Sequence, residues 1–269
     1  LVWQLLSFLI GSELLLPSPW AVVRSFCGLA QTTEFYRSIL HTLLRVAAGF
    51  AAGMAAGLLA GTLTAFSRAA DVLLTPLKNI IKATPVTSFI VLILLYFSSN
   101  VTPSAVAFLA VLPICWSNVC EGLRQTDKKM TELAHAYAFG RKKTLREIYF
   151  PAVRPYLSAA ATTGLGFAWK SCVAAEVIAL SKNSVGRALY ESKLYLETAE
   201  LFAWTASVVL ISVLFEKLLV HKLFKNKNTE GAAGRRSESL EHGHASCEAE
   251  LQYKSDAYAE YGRDEERNI

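Results

Sequence analysis

Charge is scarce through most of this chain. Residues 1–220 hold 31 of its 49 charged residues, 14% of that stretch, where a soluble domain is about 25% charged. So few charges cannot cover a water-facing surface, which excludes an ordinary soluble enzyme. The other 18 fall in 221–269, where they are 37% of the residues and apolar side chains are too few for a core. No Gly-x4-Gly-Lys-Ser/Thr occurs, so the chain cannot cradle ATP phosphates in the P-loop manner. The five cysteines lack metal-ligand spacing, and four lie in or beside apolar segments, as buried free thiols do. No His/Glu pair at i, i+4 lies inside an apolar segment; His41, His135 and His221 sit at segment edges or in a polar loop, which argues against an intramembrane enzyme.

In place of charge there are long uncharged runs. Val46–Ser67 is 22 residues, Ala83–Cys120 is 38, and Pro155–Trp169 and Leu201–Phe215 are 15 each. A bilayer core takes about 20 residues of helix. As one helix the 38-residue run would be about 57 Å long, too long for one crossing. It must fold back, and Ser98-Ser99-Asn100 followed by Pro103 supplies the turn. Spans are expected near 40–66, 79–97, 101–120, 156–180 and 201–220. Residues 1–16 are apolar enough to be the remnant of a sixth; the chain starts at Leu1, not Met, and a signal peptide fits less well because no basic n-region precedes the apolar stretch. The expected fold is all-α: a polytopic membrane bundle of about six helices over 1–225, its first span truncated, with a disordered polar tail over 226–269.

Lys and Arg orient the spans. The segments near 67–82, 121–155 and from Lys217 onward carry 3, 8 and 9 of them, 20 of 27 in all. These segments are expected in the cytoplasm, with both termini. Two ionisable residues within the expected 156–180 span, Lys170 and Glu176, are costly, at about 2.5–3.5 kcal/mol each at mid-membrane. Six helical residues leave them about 120° apart, so each needs a separate partner, a cavity or an interface. With Arg45 they are candidates for a polar pathway; the alternative is a structural role. The second span repeats Gly49, Gly53, Gly57 and Gly61 at four-residue spacing, with Ala48, Ala52, Ala56 and Ala60 in a parallel column. Small residues at that spacing predict a helix–helix packing face.

The 121–155 segment has a helix pattern of its own. Asp127 can cap a helix in which Met130, Leu133, Ala134 and Tyr137 fall at i, i+3, i+4, i+7, opposite Lys128, Lys129, Glu132 and His135. Gly140 is expected to end it. A second short helix through Leu145, Ile148 and Tyr149 is expected to stop at Pro151. Such a helix either docks in a groove of a partner or lies on anionic lipid, since 128–143 carries five Lys/Arg.

The segment resembles the signature loop of ABC importer permeases, which runs Glu-Ala-Ala, three residues, Gly, nine residues, Ile-x-Leu-Pro. Here it reads Glu132-Leu133-Ala134, Ala138 in the glycine position, and Ile148-Tyr149-Phe150-Pro151. Leu133, Ala138 and Phe150 depart from the pattern, and Gly140 lies two residues past the expected glycine, which predicts a shifted turn. Leu15-Leu16-Pro17-Ser18-Pro19, Leu43-Leu44-Arg45-Val46 and the stretch from Gly164 through Lys170 to Val177 are similar to the nitrate/sulfonate/taurine branch of that family. The resemblance implies a homodimer of permease subunits in a bacterial cell membrane, two cytoplasmic ATP-binding subunits and an extracytoplasmic solute-binding protein, without cofactor, metal or nucleic acid. It gives Met130, Glu132, Leu133, Ala134, Tyr137, Ala138, Gly140, Ile148 and Pro151 the role of coupling to the ATPase. An anion is the expected solute. The competing class is an ion-coupled secondary transporter with Lys170 and Glu176 as relay; its cue, broken helices in two matching halves, has no internal repeat behind it.

Overall fold

Thr32, Ser67 and Ser184 each turn a side-chain oxygen onto a free backbone N–H three residues ahead, and each starts a helix. Ser18 does the same with Pro19 in the first turn, where a missing N–H costs nothing. In the computed structural model, which describes residues 2–224, the helices are α1 (Val2–Ile10), α2 (Pro19–Leu29), α3 (Thr33–Phe66), α4 (Arg68–Ala83), α5 (Val86–Tyr96), α6 (Thr102–Arg124), α7 (Lys128–Ala136), α8 (Arg141–Thr144), α9 (Phe150–Ala179), α10 (Val185–Leu194) and α11 (Thr198–Phe224). A π-helical turn, Leu145–Tyr149, joins α8 to α9. Every regular element among the described residues is helical. The chain divides into a unit Leu1–Lys217 and a second, Leu218–Ile269, of which only the end of α11 is described. The expected disordered tail over 226–269 lies outside the described residues.

Three helices, α3, α6 and α11, are long and apolar enough to cross a membrane. The helix α9 has 30 residues but is diluted by Lys170, Thr and Gly. The span expected near 79–97 is not one helix. Thr84 precedes Pro85, whose ring pushes it out of the helical region, to ψ 128°. The chain breaks there, and α4 and α5 meet at 103°, so they form a fourth span only as a bent pair. The Ser98–Asn100 turn lies between α5 and α6, where it was expected. The helix α1 has nine residues, about 13 Å, too short to cross alone.

The core lies where α6 packs between α3 and α9. Val46, Ala107, Val111, Ala168, Trp169 and Cys172 form its buried centre. The four glycines of α3 are all buried on the α6 side. A Cβ on Gly53 would lie 2.8 Å from the Val111 Cβ, and one on Gly57 2.6 Å from the Cys115 Cβ and 2.9 Å from the Leu112 carbonyl. Gly49 meets the Ser104 carbonyl, and Gly61 the Trp116 carbonyl at 2.8 Å. The backbones are in van der Waals contact, the geometry small residues permit where lipid gives no hydrophobic drive. Trp116 Nε1 adds a hydrogen bond to Thr64 Oγ1 at 2.7 Å. Ala48 and Ala52, in the parallel column, are exposed.

Gly57→Leu should therefore force α3 and α6 apart and cost about 1–3 kcal/mol or more. Thermal melting of the purified protein in detergent checks this: the variant should melt well below the parent, and an unchanged midpoint would mean the two helices separate there freely.

Candidate functional site

Two constellations stand out, at opposite ends of the antiparallel pair α3 and α9. At one end Phe66, the last residue of α3, stacks edge-on against Tyr149 of the π-turn, ring centroids 5.2 Å apart. The segment bearing α7 is attached here. Asp127 begins α7, its carboxylate accepting from Lys129 N at 2.9 Å. Ala134 is buried, while Met130 and Tyr137 leave 54% and 70% of their surface open. Glu132 is also exposed, and the Leu133 side chain lies outside the described residues. Ile148 is half-buried in the π-turn and Pro151 is exposed.

The two expected stops of this segment are corrected. Gly140 does not end α7. The helix closes at Ala138, whose φ of +50° is left-handed, and Phe139 N donates to the Ala134 carbonyl at 2.9 Å, closing a Schellman turn. The turn therefore sits at the unshifted position, where the resemblance has glycine and this chain has alanine. Gly140 instead starts α8, its carbonyl accepting from Lys143 N and Thr144 N. Pro151 does not stop a helix either. It lies in the first turn of α9, which the π-turn enters without a break.

The other end holds a buried charge cluster. Glu176 is fully buried. Its carboxylate accepts from Thr42 Oγ1 at 2.9 Å, Arg45 Nη1 at 2.9 Å and the backbone N–H of Gly186 at 3.3 Å. Thr42 Oγ1 in turn accepts from Val185 N at 3.2 Å. Arg45 Nη2 reaches the Lys182 carbonyl at 2.9 Å, and Asn100 Oδ1 accepts from Lys182 N at 3.0 Å. One carboxylate thus ties α3 and α9 to the first amides of α10, and Arg45 adds the chain around Asn100. A side chain at Gly186 would run into the Glu176 Cβ. Thr42, Asn100, Val185 and Gly186 escape a reading of the sequence. The nearest signal is Thr42 three residues before Arg45, which places both on one helix face.

Of the three candidate pathway residues, Arg45 and Glu176 come together and Lys170 stays apart. Its side chain is exposed and makes no hydrogen bond or ion pair with a described residue. Among the cysteines, Cys115, Cys120 and Cys172 are buried, and Cys27 is exposed.

Comparison with known proteins adds an independent line. The profile of the family described as "Binding-protein-dependent transport system inner membrane component" matches residues 53–221. The chain is 27% identical over 234 residues to the putative aliphatic sulfonates transport permease protein SsuC of Bacillus subtilis, covering 85% of this chain and 84% of that one. It is 29% identical to the SsuC of Escherichia coli, over 81% of this chain and 80% of the relative. It is 31% identical to the riboflavin transport system permease protein RibX of Chloroflexus aurantiacus, over 77% and 80%.

Two substitutions test the geometry. Ala138→Gly should remove the left-handed penalty on an L-residue and raise stability by about 1 kcal/mol; an unchanged or lowered melting midpoint would contradict the turn. Arg45→Met leaves a buried carboxylate without its cation and should cost about 3–5 kcal/mol. Adding Glu176→Met should restore part of that loss, so the double variant should melt above Arg45→Met alone.

Proposed function

The chain belongs to the binding-protein-dependent transport system inner membrane component family, and on that premise we propose that it is the permease subunit of an ATP-driven importer. Two copies form the membrane pathway, two separate ATP-binding subunits dock on the α7 segments, and an extracytoplasmic binding protein delivers the solute. The observation that carries the coupling role is the outward presentation of Met130 and Tyr137 on a short capped helix at one end of the bundle. Large apolar side chains held in water mark a surface made for a partner. No P-loop motif occurs in residues 1–269, which supports ATP hydrolysis by a separate partner. Glu132, Leu133, Ala134 and Ala138 belong to the docking helix and its turn, Gly140 starts α8 beyond it, and Ile148 and Pro151 lead the segment into α9.

The Lys/Arg excess of 67–82, 121–155 and the segment from Lys217 onward supports a cytoplasmic α7 end and C-terminal tail in a bacterial cell. The Arg45–Glu176 end then faces outward. The solute is a small anion of the nitrate, sulfonate or taurine kind, a choice supported by the two relatives named for aliphatic sulfonates. RibX, named for riboflavin, marks how far solute chemistry ranges among relatives of similar identity.

Tyr137→Asp places a charge where docking would desolvate it, and should weaken ATPase binding by about 3–5 kcal/mol while leaving the melting midpoint of the permease alone. Co-purification of the ATP-binding subunit reads this directly. Retention at the parental ratio would remove α7 as the docking element. Uptake into vesicles should need ATP and the ATP-binding subunit; uptake driven by an ion gradient alone would make the chain a secondary transporter.

A further inference from the structure

The three ionisable residues inside the bundle are not equivalent. Arg45 and Glu176 cancel each other and spend their hydrogen bonds on the protein. Lys170 has no partner among the described residues. It lies on an open stripe of α9 with Thr163, Phe167, Ala174 and Ile178, spaced by four, three, four and four residues, so all share one helix face. It is nine residues, about 13 Å, from the end of α9. That is too far for a lysine to snorkel to the interface, and lipid contact at such depth is strongly disfavoured. The stripe therefore borders water or another protein surface. The helix surface one turn earlier is open too: Gly166 has no atom within 4 Å of where its Cβ would sit. The Nε1 of Trp169, buried in the core against Phe215, also has no acceptor among the described residues. The unmet group on the stripe is a cationic donor, and no acidic residue stands there.

We propose that Lys170 lines an aqueous path along this face of α9 and holds the anionic head of the solute, an alkanesulfonate or an oxyanion of like charge. The proposal rests on the permease reading and adds the residue that selects for charge. An ammonium on the path raises the local concentration of anions and lowers that of cations. A cysteine at position 174, one turn from Lys170, senses this through charged thiol reagents.

The test uses the full chain with its ATP-binding partner in nanodiscs, the native cysteines replaced and Ala174→Cys introduced. The 2-sulfonatoethyl and 2-(trimethylammonio)ethyl methanethiosulfonates are compared; the first is itself an alkanesulfonate. Both should react from water, and the preference for the anionic reagent should fall about tenfold in Lys170→Met and survive in Lys170→Arg. Phe167→Cys carries the same measurement on the same stripe if Ala174→Cys does not fold. Reaction only with a lipid-permeant maleimide, or an equal preference with and without Lys170, would overturn the proposal. Loss of ATPase docking in the parent protein would instead overturn the permease reading, and the labelling ratios would still decide whether Lys170 faces an anion path.

Discussion

The contact on which the bundle depends is the one between the backbones of α3 and α6. Lipid solvates an apolar helix about as well as another helix does, so burial alone does not hold spans together. Four glycines at four-residue spacing let α3 lie against the carbonyls and Cβ atoms of α6 with no side chain of its own in the way. This places α6 close enough for its far side to pack on α9, and the buried residues Val111, Ala168 and Cys172 follow from that three-helix stack. It also sets the height of α3 relative to α9, which decides what Thr42 and Arg45 can reach.

That height brings Arg45 to Glu176. Burying a carboxylate is costly, and the cost is met only if nearly every lone pair finds a donor. Here the donors come from Thr42 and Arg45 on one helix and from a backbone amide of α10. The amide donor explains why residue 186 is glycine: the α10 backbone has to approach Glu176 closer than a Cβ allows. The connection into α10 is bent accordingly, with Leu180 and Asn183 both left-handed at φ near +50°. A left-handed leucine costs about 1–2 kcal/mol, and the hydrogen bonds of the cluster hold it in place.

What the sequence disclosed and what it hid follow from the range of the forces involved. The glycine column was legible because packing by small residues leaves a periodic trace within one helix. The cap at Asp127 was legible for the same local reason. The break at Thr84-Pro85 was equally local, yet it sat inside a long uncharged run whose hydropathy suggested a continuous span. The end of α7 was misplaced because glycine is the usual left-handed residue, and an alanine in that position gives no warning. The partner of Glu176 could not be found at all: Arg45 is 131 positions away, and only the register of α3 on α6 brings the two together.

The helix α9 is the mechanical link between the two ends. It begins at the π-turn, which Tyr149 fastens to the end of α3, and runs 30 residues, about 45 Å, past Lys170 to Glu176. A single helix transmits displacement along its axis with little loss, because its hydrogen-bond ladder is stiff compared with side-chain packing. Its interior proline, Pro155, lies near the α7 end, so most of the rod beyond it is uninterrupted. An axial shift of α9 at the π-turn would therefore carry Lys170 and Glu176 together. The hydrogen bonds that Glu176 accepts from α3 and α10 would have to break or stretch, whereas Lys170 has no such bond to lose. Lys170 and Glu176, six residues apart on one stiff helix, keep their spacing in any such motion, and the motion is opposed at the Glu176 end.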